Sequence, residues 1–252
     1  MKTTERFSNR VANYVKYRPG YPAIVIDKLR ERGVLQNGDV IADIGSGTGL
    51  SAKIFLETGF EVFGVEPNKE MREAGETFLE NSEKFHSVDG TAEATTLLEN
   101  SVDVIVAGQA FHWFDVEKTK KEFQRILKND GNVVLIWNDR RTDSTEFLRA
   151  YEDFLKTFGT DYETVNHKNV DEKIFDAFFG KGEWQEFSVE NFQDFTFEGL
   201  KGRLFSSSYV LPEDHPGSKN MLEALEKIFM RYRENNTVRF EYDTKVFCGK
   251  LH

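Results

Sequence analysis

Cysteine is nearly absent. Cys248 alone excludes an intramolecular disulfide framework and points to a reducing compartment. Histidine is almost as sparse: His86, His112, His167, His215 and His252 show no ligand spacing with one another or with Cys248, so no structural metal is expected. No stretch approaches the ~18 consecutive apolar residues of a membrane span, and MKTTERFSNRVANYVKYRPG at the start lacks the apolar core of a signal peptide. Internal repeats and low-complexity linkers are missing too. Positive charge is in deficit, 33 Lys+Arg against 43 Asp+Glu for a net −10, which argues against a nucleic-acid binder. What is plentiful is phenylalanine, with 23 residues in a chain of 252 that is 39% hydrophobic and 30% charged. That supply of large apolar side chains supports a sizeable core and excludes disorder. A cytoplasmic protein, monomer or homodimer, is the expectation, with no membrane and no nucleic acid as partner.

Residues 40 to 138 alternate short β-type runs with helical patterns. The strands are expected at 40–44, 61–65, 84–88, 102–107 and 133–137, with helices at 50–56, 71–79 and 116–127 between them. Asn129-Asp130-Gly131 reads as the stop of the last helix. Strands separated by helices imply a doubly wound α/β sheet, mostly parallel and covered on both faces. Before it, a helical pattern ends at Arg18-Pro19-Gly20-Tyr21-Pro22, a rigid crossing segment, and a helix follows at 23–32. After it come helices at 146–158 and 172–179, an alternating strand at 184–197, a helix at 219–234 and a last strand at 238–248. The chain thus divides into a helical N-terminal cap (1–38), a cofactor-binding core (39–138), an inserted helical lid (139–182) and a return to the sheet (183–252), all within one domain.

The most informative segment is Asp43-Ile44-Gly45-Ser46-Gly47-Thr48-Gly49, between a buried-type strand and a helix. Glycines there let backbone approach a ligand while the helix N-terminus offers free N–H groups. A dinucleotide fingerprint needs its third glycine at position 50, which is Leu50, and Asp43 would repel a pyrophosphate but attract an ammonium. The loop suits a nucleoside with a positively charged tail. Glu66, in Val65-Glu66-Pro67-Asn68, ends the second strand where a carboxylate can accept both ribose hydroxyls. Asp89-Gly90-Thr91-Ala92-Glu93 ends the third, facing an adenine edge, although Thr91 could equally cap a helix.

Together with Gln109-Ala110-Phe111-His112-Trp113-Phe114, these motifs resemble the class I S-adenosylmethionine-dependent methyltransferases, and within them the ubiquinone/menaquinone-biosynthesis and trans-aconitate group. Tyr17-Arg18-Pro19-Gly20-Tyr21-Pro22 resembles a segment of the small-molecule members. The resemblance covers roughly residues 39 to 138. It implies a Rossmann-like seven-stranded sheet with one antiparallel strand, from 238–248, and adenosylmethionine as cofactor with adenosylhomocysteine as product. By it, the Gly45–Gly49 backbone, Ser46 included, passes under the methionine part; Asp43 lies near the amino group; Glu66 takes the ribose; Asn68 lies beside the adenosine; the Ala92 N–H meets adenine; and Pro67 and Gln109 are further cofactor-binding residues. Many relatives carry Asp where Thr91 stands, and Asp89 or Glu93 is the alternative partner for the adenine amino group.

Methyl transfer from a sulfonium needs alignment and exclusion of water, and a base only when the acceptor is protonated. His112 and Trp113 are the candidate catalytic residues, to orient or deprotonate an acceptor and to wall the site. Acceptor recognition is expected from the Tyr14–Tyr21 segment, chiefly Tyr17, Arg18 and Tyr21, from Asn138-Asp139-Arg140-Arg141, and from Ser206-Ser207-Ser208-Tyr209. Arg18, Arg140 and Arg141 suggest a small carboxylate, which guanidinium binds bidentately, though Arg140-Arg141 also reads as plain surface charge. Two rivals stand beside this reading: a nicotinamide oxidoreductase, and an adenosylmethionine-binding protein without turnover.

Overall fold

Seven strands form one sheet in the order β3-β2-β1-β4-β5-β7-β6 in the computed structural model, which describes residues 15–160, 162, 172–207 and 209–251. Tyr14, His167, Ser208 and His252 therefore lie outside the described residues. The strands are β1 (Val40–Ile44), β2 (Glu61–Val65), β3 (Phe85–Val88), β4 (Val102–Gly108), β5 (Leu127–Arg140), β6 (Trp184–Phe195) and β7 (Val238–Gly249). The first five pair in parallel, and β7 runs antiparallel between β5 and β6, as the resemblance implies.

Helices α1 (Ile24–Glu31), α2 (Leu50–Glu57), α3 (Lys69–Phe78) and α4 (Val116–Ile126) accompany the parallel half. Their burial follows helical spacing, as with Val25, Ile26 and Leu29 in α1 and Thr119, Phe123 and Ile126 in α4. Side chains start two of them: Asn68 Oδ1 accepts from Met71 N at 2.9 Å and Asp115 Oδ1 from Lys118 N at 3.2 Å. One buried cluster, with Phe55, Val62 and Ile136, covers one face of the sheet, and a second, with Ile105, Phe123 and Trp137, the other.

The later elements are α5 (Glu146–Phe158), α6 (Glu172–Phe179), α7 (Phe197–Phe205) and α8 (Ser218–Tyr232). A third cluster joins α5, α7 and α8 to the start of β7 through Leu148, Leu204, Leu225 and Phe240. The strand register shows why it lies beyond the parallel sheet. Arg140, the last residue of β5, pairs with Tyr242, whereas β6 accompanies β7 to its first residue, Phe195 against Val238. The β6–β7 pair thus overshoots the C-terminal edge of the parallel strands and carries a second layer there.

The structure differs from the sequence reading in two places: the strand expected at 184–197 ends at Phe195 and is followed by α7, a helix the sequence reading did not include, and the boundary between α4 and β5 lies elsewhere. Helix α4 stops at Ile126, and Asn129-Asp130-Gly131 lies inside β5, which begins at Leu127. Leu127 pairs with Val102 across a register shift, and a Cβ at Gly131 would come 2.9 Å from Asp103 O, so this glycine permits close approach of neighbouring backbone. Among the described residues no helix is long and apolar enough to cross a membrane.

Candidate functional site

The C-terminal ends of β1, β2 and β4 meet at a cavity of about 730 Å³. Gly45, Gly47 and Gly49 hold left-handed φ of 68°, 55° and 82°, and a Cβ at Gly45 would come 2.6 Å from Ala110 Cβ. Gly45 N and Ser46 N donate to Val65 O at 2.9 and 3.2 Å, which fixes the loop on the end of β2. The loop delivers Gly49 as the cap of α2, with no side chain closing the helix N-terminus.

Asp43 is fully enclosed. Its Oδ2 accepts from Ser51 Oγ at 2.6 Å, while Oδ1 has no hydrogen-bond partner. Burial raises its carboxyl to about 7, against the opposing bonds from Ser51 and the Ala52 N–H. Glu66 is also buried, and burial raises it, while bonds from Asn68 N at 2.8 Å and Gly47 N at 3.0 Å work the other way. One oxygen thus braces the glycine loop at Gly47 and the other the turn into α3 at Asn68. Pro67 and Asn68 follow on the same rim, with Asn68 engaged as the cap of α3.

Thr91 and Glu93 line the cavity, whereas Ala92 is buried beneath. The helix that Thr91 could have capped is not there: Thr91 and Ala94 bond reciprocally in a tight bridge. Glu93 Oε1 accepts from Asp115 N at 2.9 Å, which ties this bridge to the start of α4. Gln109 leaves β4 with φ of 59°, a left-handed conformation unusual outside glycine, its N–H bonded to Ile136 O at 2.8 Å. A single 3-10 turn, Phe111–Trp113, then presents His112 and Trp113 to the cavity, their rings 4.7 Å apart.

The opposite end is closed by the crossing segment. Asn138 Nδ2 donates to Pro19 O and Gly20 O at 3.4 and 3.2 Å, and Thr244 Oγ1 donates to Asn138 Oδ1 at 2.5 Å. Arg18 and Tyr21 line this end, and Arg18 donates to Ser206 O at 3.0 Å. Tyr17 does not line it; its ring occupies the space that a side chain on Gly202 of α7 would need. Arg140 is no surface charge: its guanidinium meets Glu152 at 2.5 Å and Tyr162 Oη at 3.0 Å, inside the cavity wall. Arg141 points elsewhere, to Asp243 and Glu190. Tyr209 lines the cavity, and Ser206 and Ser207 are buried behind it.

Sequence reasoning passed over Glu152, Tyr162, Arg203 and Tyr242, which complete this end. The one available signal was Arg203, an arginine beside Leu204 and three residues from Leu200, both fully buried. No group of three potential metal ligands occurs among the described residues.

Comparison with known proteins agrees with this architecture. A family model described as a methyltransferase domain matches residues 42–135. An uncharacterized methyltransferase-like protein of Schizosaccharomyces pombe is 28% identical over 251 residues, covering 97% of this chain and 94% of that one. A Saccharomyces cerevisiae protein named as an S-adenosylmethionine-dependent methyltransferase is 27% identical over 152 residues, 58% of this chain and 50% of that one. A solved Anaeromyxobacter dehalogenans protein, named as a type II methyltransferase, superposes with a TM-score of 0.71 at 20% identity, covering 94% of this chain and all of that one. With Leu50 breaking the dinucleotide spacing, these matches set the oxidoreductase reading aside. Residues 42–135 thus match a methyltransferase domain, and the seven-stranded sheet has the strand order of the α/β methyltransferase fold.

Proposed function

We propose that this methyltransferase acts on a small carboxylate, with adenosylmethionine seated between Asp43, the glycine loop and Glu66. The observation that carries the proposal is the continuity of one cavity from Glu66 to the guanidinium of Arg140. Asp43 lies behind the loop, outside the cavity lining, bonded to Ser51, which does line it; its charge suits the ammonium of the methionine part at one remove, and the loop N–H groups suit the carboxylate of that part. Glu66, already oriented by two backbone N–H groups, has lone pairs left for ribose hydroxyls. Adenosylmethionine, when bound, supplies an electrophilic methyl on a positively charged sulfur.

An ionised carboxylate needs no base, so the protein's work is positioning and exclusion of water. His112 orients the acceptor; Trp113 and Phe114 form an aromatic wall able to face a cation. Arg18 and Tyr21, held over the cavity by Asn138, close it against solvent. The sequence resemblance to the ubiquinone and trans-aconitate group supports a small acceptor.

Thermal denaturation with adenosylmethionine, adenosylhomocysteine, NADH and NADPH, one at a time, tests the cofactor half. The adenosyl-sulfur ligands should raise the midpoint by mass action and the nicotinamides should not. Stabilisation by the nicotinamides alone would sink the reading.

A further inference from the structure

Arg203 projects from α7 into the same cavity although it is only 6% exposed. Its Nη1 donates to Ser207 Oγ at 3.1 Å and reaches Ser206 Oγ at 3.5 Å, while its Nε has no hydrogen-bond partner. Among the described residues no carboxylate pairs with it. A buried guanidinium answered by hydroxyls alone is an expensive arrangement unless an anion arrives to complete it. Arg140 also has one unpartnered N–H, at Nη1, but it differs in its counter-ion: Glu152 neutralises it within the wall, and Tyr162 Oη shares that carboxylate at 2.7 Å.

Tyr209 reports the local field. Burial pushes its phenol up, yet the guanidinia of Arg203, Arg18 and Arg140, with a bond from Ser207, hold it below the ordinary range. Burial likewise works against the charge on Arg203, but the oxygens of Tyr242, Tyr209 and Tyr151 keep it firmly protonated. Among the described residues lining this end of the cavity, the guanidinia of Arg18, Arg140 and Arg203 meet the carboxylates of Glu152 and Asp139, and Asp139 is held by Lys245 at 2.8 Å.

We infer that Arg203 is the residue that receives the anionic group of the methyl acceptor, flanked by Ser207, Tyr209 and Tyr242, and that Arg140 is a neutralised wall of the pocket. The inference rests on the reading of this cavity as the acceptor site. It makes Arg203 a specificity residue: a planar guanidinium fork selects a carboxylate over an uncharged amide of the same shape.

The test uses full-length protein saturated with adenosylhomocysteine. It is titrated calorimetrically with a panel of small aliphatic and aromatic carboxylates, each paired with its primary amide. Wild type should bind a carboxylate and reject its amide. Arg203→Met should weaken that carboxylate about tenfold or more, the loss of at least one charge-assisted bond, with adenosylhomocysteine affinity unchanged. Its ligand-free melting midpoint should not fall, because a buried charge without a counter-ion has been removed. Arg203→Lys, which keeps charge and loses the fork, should bind weakly yet retain the preference over the amide, and it decides the matter if Arg203→Met does not fold. Equal carboxylate affinity in wild type and variants would overturn the inference and leave the proposed function standing. A fall in midpoint and in adenosylhomocysteine affinity in both variants would also overturn it, as the mark of a structural arginine. If adenosylhomocysteine binds wild type but no carboxylate does, the inference and the carboxylate assignment fall together, and methyl transfer to another class of acceptor remains.

Discussion

A carboxyl group sealed from water holds its proton late, and Asp43 does so to about 7 because burial outweighs the bonds from Ser51 and Ala52. The sign follows directly. Between the ordinary value of 3.8 and about 7 the folded protein keeps a proton that the unfolded chain has lost, so this group's contribution to stability declines as pH rises through that window. A ligand ammonium favours the ionised form and reverses the preference. Adenosylhomocysteine affinity should therefore climb between about pH 5.5 and 7 and then level, while Asp43→Asn should bind weakly with a flat profile in that range. Calorimetry across the window checks it, and a flat wild-type profile would remove Asp43 from the ammonium. The position of Asp43 was readable in the sequence, because an acid two residues before a glycine loop at a strand end has little freedom in where it lies. Arg140 was not readable in that way. Whether its charge faces water or Glu152 depends on how α5 docks, and neighbouring residues carry no information about that.

Single glycines decide how elements meet. Gly45 and Gly49 sit where left-handed backbone is required, and Gly202 sits where a neighbouring ring leaves no room for a side chain. A methyl group on Gly202 would collide with the Tyr17 ring and force α7 away from the segment that carries Arg18 and Tyr21. Gly202→Ala should cost about 1–3 kcal/mol of stability, in the range of overpacked cores. It should impair acceptor turnover while adenosylhomocysteine affinity, governed at the other end of the cavity, holds. Chemical denaturation and calorimetry on the variant measure both; full rescue is not required, but Tyr17→Ala in combination should recover part of the loss. Periodicity located nearly every element, since α5 and α6 keep an apolar stripe and β7 alternates buried and partly exposed residues along its length. It failed at Asn129-Asp130-Gly131, where residues typical of a helix stop lie within a strand. Pairing of Leu127 with Val102 across a bulge overrode the local preference, which is a tertiary effect.

Over the whole molecule the charge is −10, while the cavity's acceptor end gathers guanidinia. Net charge acts at long range when salt is low, and contacts within the cavity act after entry. Association of a carboxylate with the adenosylhomocysteine-loaded protein should quicken between about 10 and 150 mM salt, while association of the cationic adenosylmethionine should slow. Stopped-flow fluorescence can follow both through Trp113, 38% exposed at the cavity. The opposite trend for the carboxylate would mean that the local guanidinia steer the approach. The positions of the parallel strands, the glycine loop and the acid at the end of β2 were legible in the amino-acid sequence because they rest on periodicity, backbone conformation and short spacings, all local quantities. The acceptor end was not, because it depends on the overshoot of β6 and β7 past the parallel strands and on contacts between distant segments, Arg18 with Ser206 and Asn138 with Thr244. Sequence by itself determined where a nucleoside cofactor could be cradled. Only the tertiary structure decided which arginines are neutralised and which is left to meet an anion, since compensation of a buried charge is a property of what surrounds it in space.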